Sequence, residues 1–154
     1  MSDAKPASGL LHGFVQRPFV LLMHEGSEDG FHFDWLCAVD EKGEQPLQGW
    51  RIPDRLDLMS VDHVLPATPT APHRPRYLEY EGWLSDDRGL VTRVARGHVR
   101  HAPLPIDTGI ALLEWTEGSS AGRTQTLHVQ RRDDEDWILH CAAWSHYIQE
   151  KDTY

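Results

Sequence analysis

FVLLMH-EGSEDG-FHFDWLCAV, residues 19–39, consists of two apolar runs of strand length around a polar loop carrying two glycines. The first run is continuously apolar and bounded by Pro18, and the second is rich in aromatics and partly alternating. Two such runs joined by a short glycine-bearing loop predict a β-hairpin. Outward from it, residues 40–44 (DEKGE) read as a turn and residues 47–52 (LQGWRI) as a third strand stopped by Pro53. Further strand-like runs occupy 77–84, 89–99, 108–115, 124–131 and 137–144, separated by SDD, HAPLP, EGSSAG and DDED. Short strands at roughly ten-residue spacing predict an all-β sandwich or barrel. The best helical candidate, residues 54–62, is short. Residues 1–18 read as an N-terminal tail with a small apolar patch at 10–11 and 14–15, and residues 19–154 as one domain. Between 64 and 75, prolines at 66, 69, 72 and 75 suggest a stiff polyproline II connector carrying His73.

Composition narrows the function classes. The chain has 154 residues, and its 15 Lys plus Arg against 24 Asp plus Glu give a net charge of −9. That balance argues against wrapping a long nucleic acid, where each phosphate contact wants a cation, but leaves room for a site handling one strand end. The two cysteines, Cys37 and Cys141, sit in apolar stretches and read as reduced core thiols of a cytoplasmic protein. No window approaches the ~20 apolar residues a bilayer span needs, so no membrane partner is expected. The six tryptophans read mainly as core pieces rather than as stacking platforms for bases.

The chemistry concentrates in His24, His32 and Asp34. Residues two apart on a strand share a face, so His32 and Asp34 project together, and the hairpin would return His24 beside them. Two imidazoles and a carboxylate with open coordination positions suit a catalytic Mn²⁺, Fe²⁺ or Zn²⁺. A solvated strand face is the plain alternative reading of the same three residues.

His24…His32-Phe-Asp34, followed by Gln48-Gly-Trp-Arg-Ile-Pro53, resembles the phosphoesterase domain of bacterial DNA ligase D and its stand-alone relatives. The resemblance continues through His73-Arg-Pro-Arg-Tyr77, Tyr80-Glu-Gly-Trp-Leu84, Arg88-Gly89, residues 127–131 and Trp137-Ile-Leu, spanning about residues 19–142. It implies a small closed, mostly antiparallel β-barrel with short helical connections and an active site in a groove on its outer surface. It also implies a metal-dependent 3′-end-processing phosphoesterase of DNA repair. Such an enzyme removes a 3′-ribonucleoside and then the 3′-phosphate from DNA or RNA–DNA ends. Carried over residue by residue, His24, His32 and Asp34 are metal ligands, with manganese favoured and zinc or cobalt as alternatives. His73 then stabilises charge on the scissile phosphate as an imidazolium, and Tyr77 supports it. A DNA ligase or repair polymerase encoded elsewhere would be the natural partner.

The sequence departs from that family at Leu36, Leu22 and Asp54, where an arginine, a glutamine and a lysine are usual. The loop between the histidines is two residues longer and acidic. Arg74 and Arg76 flank His73 and could hold a phosphate instead, and Arg88, Arg93, Arg96 and Arg100 are further candidates. Two other readings stay open. One is a non-catalytic relative that binds a metal or a nucleic-acid end. The other is an iron oxygenase, since His-x-Asp with a distant histidine is also the facial-triad pattern.

Overall fold

The computed structural model describes residues 15–28 and 30–146. Its strands are β1 (Arg17–Glu25), β2 (His32–Cys37), β3 (Leu47–Ile52), β4 (Val64–His73), β5 (Gly82–Trp83), β6 (Leu90–Val99), β7 (Gly109–Glu117), β8 (Arg123–Asp133) and β9 (Asp136–His146). They hydrogen-bond in the order β1-β2-β3-β4-β9-β8-β7-β6-β5, and pairing of β1 with β6 closes the sheet into an eight-stranded antiparallel barrel. The two-residue β5 lies outside that ring on the start of β6. The connections include two 3₁₀ turns, Leu56–Leu58 and Pro75–Leu78. Among the described residues no helix is long and apolar enough to cross a membrane.

The barrel interior explains the hairpin sequence. Phe19 and Leu21 of β1 and Phe33, Trp35 and Cys37 of β2 point inward. Trp35 stacks on Trp50 at 4.7 Å between ring centroids, and Trp115 meets Phe19 edge-on at 4.8 Å. The other face of the same strands is covered too. Val20, Leu22 and Leu36 pack outside the barrel against Leu47, Leu78 and Val91, with Tyr77, Tyr80 and Leu84 above them. A strand buried on both faces has no polar face to show, which is why FVLLM is continuous rather than alternating. Cys37 and Cys141 are buried free thiols, and burial pushes the Cys37 thiol well above its ordinary range.

Three local expectations change. β1 begins at Arg17, two residues before the end assigned to the tail; most of the tail's apolar patch, at 10–11 and 14, lies outside the described residues. The proline-rich stretch is β4 rather than a connector. Its first part pairs with β9 (Leu65 with Leu139) and its second with β3 (Trp50 with Pro69). Each half therefore has a neighbour on one side, and a proline lacking its N–H is tolerated where the other side is open. Finally, residues 77–84 form no regular strand. Pro75 opens the 3₁₀ turn, Tyr77 and Glu79 donate their N–H groups back to Arg74 and Arg76, and only Gly82–Trp83 are extended. This segment folds over the outer apolar face and roofs one side of the groove described next.

Candidate metal centre

The hairpin register sets His24 directly opposite His32 and Leu22 opposite Asp34. All three polar side chains point outward, above the outer apolar cluster, and are 13%, 5% and 10% exposed. His24 Nδ1 lies 3.2 Å from His32 Nε2 and 3.4 Å from Asp34 Oδ2, and His32 Nε2 lies 3.2 Å from Asp34 Oδ1. Among the described residues, no other group of three His, Cys, Asp or Glu side chains brings its ligand atoms together this closely.

The far nitrogens decide what this cluster can hold. His24 Nε2 contacts the Arg88 carbonyl at 2.7 Å, and His32 Nδ1 contacts the Gly30 carbonyl at 3.0 Å. A carbonyl only accepts, so each of these nitrogens carries the hydrogen. In its neutral form each imidazole then turns a bare lone pair toward the other and toward a carboxylate. Three acceptors within 3.4 Å repel unless a proton or a cation lies between them. Their spacing suits a metal. Ligands about 2.1 Å from an ion are separated by roughly 3.0 Å along an octahedral edge and roughly 3.4 Å along a tetrahedral one. Anchoring of each remote nitrogen on a backbone carbonyl is also the usual outer shell of a metal-binding histidine.

The Arg88 carbonyl is in reach because of Gly89. A Cβ there would stand 2.1 Å from the Glu25 carbonyl oxygen, and the residue sits at φ +99°, so only glycine lets β6 start this close to the end of β1.

The triad opens into a groove of about 1030 Å³ that also takes in every other residue assigned to the site from sequence: His73, Arg74, Arg76 and Tyr77. His73 ends β4, and its imidazole meets the Tyr77 ring edge-on at 5.9 Å. Its ring lies over Gly49, where a Cβ would stand 3.1 Å from His73 Nδ1. Burial draws His73 below the usual imidazole range, with the Asp34 carboxylate opposing the shift. Burial thus works against a proton on His73, while the Asp34 carboxylate, like any anion beside the ring, works for one.

The arginines sort into two sets. Arg93 and Arg96 pair with Glu117, Arg96 also with Glu79, and Arg100 with Glu114, so these candidates balance the acidic surface. Arg74, Arg76 and Arg88 line the groove, and among the described residues none has a carboxylate within ion-pair distance. Arg76 lies over the Tyr80 ring at 4.4 Å, and Arg88 bonds Ser85.

Four features escaped the sequence reading: Arg51, the Arg88 carbonyl, Tyr80 and Trp83. Arg51 is the cross-strand partner of Asp34 and lines the groove, so β3 sets an arginine opposite the aspartate although β2 carries Leu36. Pairing β2 with β3 through the Trp35–Trp50 stack would have revealed it. Leu22 and Leu36 form the buried floor beneath the site. Compared with family models and with curated proteins, the sequence matches none.

Proposed function

We propose that the protein is a divalent-metal-dependent phosphoesterase that trims 3′ ends of DNA or RNA–DNA strands, with manganese as its preferred metal. The observation that carries this reading is the convergence of two tautomer-fixed imidazoles and a carboxylate at the head of a groove with three unpaired arginines. The order of motifs shared with the ligase D phosphoesterase supports the choice of substrate. A bound divalent ion would polarise a phosphoryl oxygen. The chain's own residues do the rest. Arg74, Arg76 and Arg88 offer forked donors matched to phosphate oxygens. His73 faces the same groove, where burial lowers its affinity for a proton and an anion beside it would raise it, and Tyr77 holds the edge of its ring. Arg51, opposite the aspartate, takes the place that the family fills from β2.

The test is hydrolysis of a primer-template ending in a 3′-phosphate or a 3′-ribonucleotide, with Mn²⁺ and with chelator. Mn²⁺-dependent release of the terminal group is expected. His73→Ala should lower the rate by about 10²-fold, the scale of losing one transition-state donor, while leaving Mn²⁺ affinity intact. A wild type that binds Mn²⁺ yet releases neither group would overturn the enzyme reading and establish the non-catalytic one.

A further inference from the structure

Trp83 is the exposed member of the six tryptophans and the most exposed large apolar side chain of the described residues, at 73%. It lines the same groove as the metal triad and the unpaired arginines. Its backbone is held in place: it pairs with Leu90 in β5–β6, and the Tyr80 hydroxyl donates to its carbonyl. Tyr80 is in turn held edge-on to Tyr77, which touches His73. Aromatic contacts thus run from His73 to Tyr80, whose hydroxyl holds the backbone of Trp83 and so presents its indole to solvent along the groove. Leaving a tryptophan in water forfeits more burial than leaving any other side chain there, and exposed aromatics beside polar groups are where binding energy concentrates. The groove volume of about 1030 Å³ also exceeds what a terminal phosphate fills.

We infer that Trp83 is a stacking platform for a nucleobase of the bound strand, next to its 3′-terminal phosphate. This rests on the phosphoesterase reading for the identity of the ligand. The arginines favour a nucleotide over a sugar, since a neutral sugar ring would not need them. The indole would make the site prefer a strand that carries bases over a bare sugar-phosphate end, with little regard to which base, because every base has a π-face.

The probe is a 3′-phosphorylated single-stranded oligonucleotide, compared with the same strand carrying abasic residues at its last two positions. Binding is measured on the full chain by anisotropy of a 5′-dye, with Ca²⁺ replacing Mn²⁺ to prevent turnover. Trp83→Ala should weaken binding of the base-bearing strand about 5-fold or more, the size of one lost base–aromatic stack, and leave the abasic strand unchanged. Trp83→Phe should restore most of the loss. Equal weakening of both strands, or of neither, overturns the inference. Because the readout is binding alone, it is decided separately from the enzyme reading. A wild type that stacks the base-bearing end yet cleaves nothing with Mn²⁺ retains this inference and loses the phosphoesterase.

Discussion

The barrel sets two histidine pairs directly opposite each other across antiparallel strands: His24 with His32 on β1–β2, and His128 with His140 on β8–β9. The ring geometry is nearly the same, with centroids 4.7 Å and 5.4 Å apart and interplanar angles of 66° and 65°. Each pair has an aspartate, Asp34 or Asp62. The surroundings differ. His24 and His32 lie in a crevice formed because a second apolar cluster covers the outside of the barrel, and backbone carbonyls fix both rings. His128 is exposed, His140 spends Nε2 on Asp62 at 3.0 Å, and Asp62 itself is 81% exposed. In the first pair the carboxylate joins both imidazoles around one point, while in the second it holds one of them from the far side. Opposed histidines are thus an inexpensive product of β-pairing; a site needs burial and an outer shell that turns the lone pairs inward.

The largest expected effect tests that contrast directly. Asp34→Ala should weaken Mn²⁺ binding, followed by electron paramagnetic resonance titration, by more than about 100-fold, since loss of a ligand exceeds the 10–100-fold typical of an outer-shell partner. Asp62→Ala should leave the titration unchanged. If the two variants bind Mn²⁺ alike, the triad is not the ion's site and the comparison fails.

A smaller effect isolates the shell from the ligands. Gly89→Ala places a Cβ against the Glu25 carbonyl and must lift the Arg88 carbonyl away from His24. All three ligands remain, yet Mn²⁺ affinity should drop by roughly 10–100-fold. The circular dichroism spectrum should keep its β-barrel form, which separates loss of the shell from loss of the fold. Unaltered affinity in a folded Gly89→Ala protein would show that hairpin register alone positions His24.

These contrasts also explain what could be read from the sequence. The hairpin, β3 and the triad were legible because strand-length apolar runs, the turn residues that bound them and i, i+2 spacing are local properties, and His32 and Asp34 share a face in any strand. β4 was not legible. Extended and polyproline II backbones overlap in φ and ψ, so only the partners on β3 and β9 tell them apart. Residues 77–84 misled for a related reason: Tyr77, Leu78, Tyr80 and Trp83 are strand-forming types used as a roof over another surface. Arg51 escaped because its relation to Asp34 is one of register, which no single strand's pattern contains.

The smallest expected effect concerns His73, on the buried side of the contrast. Its folded value lies below the ordinary imidazole value of about 6.5, chiefly because burial penalises the charged ring. The unfolded chain therefore binds more protons at this position as the solution is acidified. Stability is unaffected by His73 well above pH 6.5 and is lost progressively as pH falls from about 6.5 toward the folded value. Replacing the ring with an amide removes the proton that favours unfolding. His73→Gln should consequently melt below wild type at pH 7.5, where it gives up packing against Tyr77 and Gly49. The gap should narrow as pH is lowered to 5.5. Melting both proteins in chelator leaves His24, His32 and Asp34 in each, so the change in the gap reports His73 together with its coupling to His24 and Asp34. A gap that stays constant toward pH 5.5 would mean that the groove leaves the proton affinity of His73 as it is in the unfolded chain, and one that widens would mean that the groove raises it. Burial as the dominant influence on His73 would then have to be abandoned.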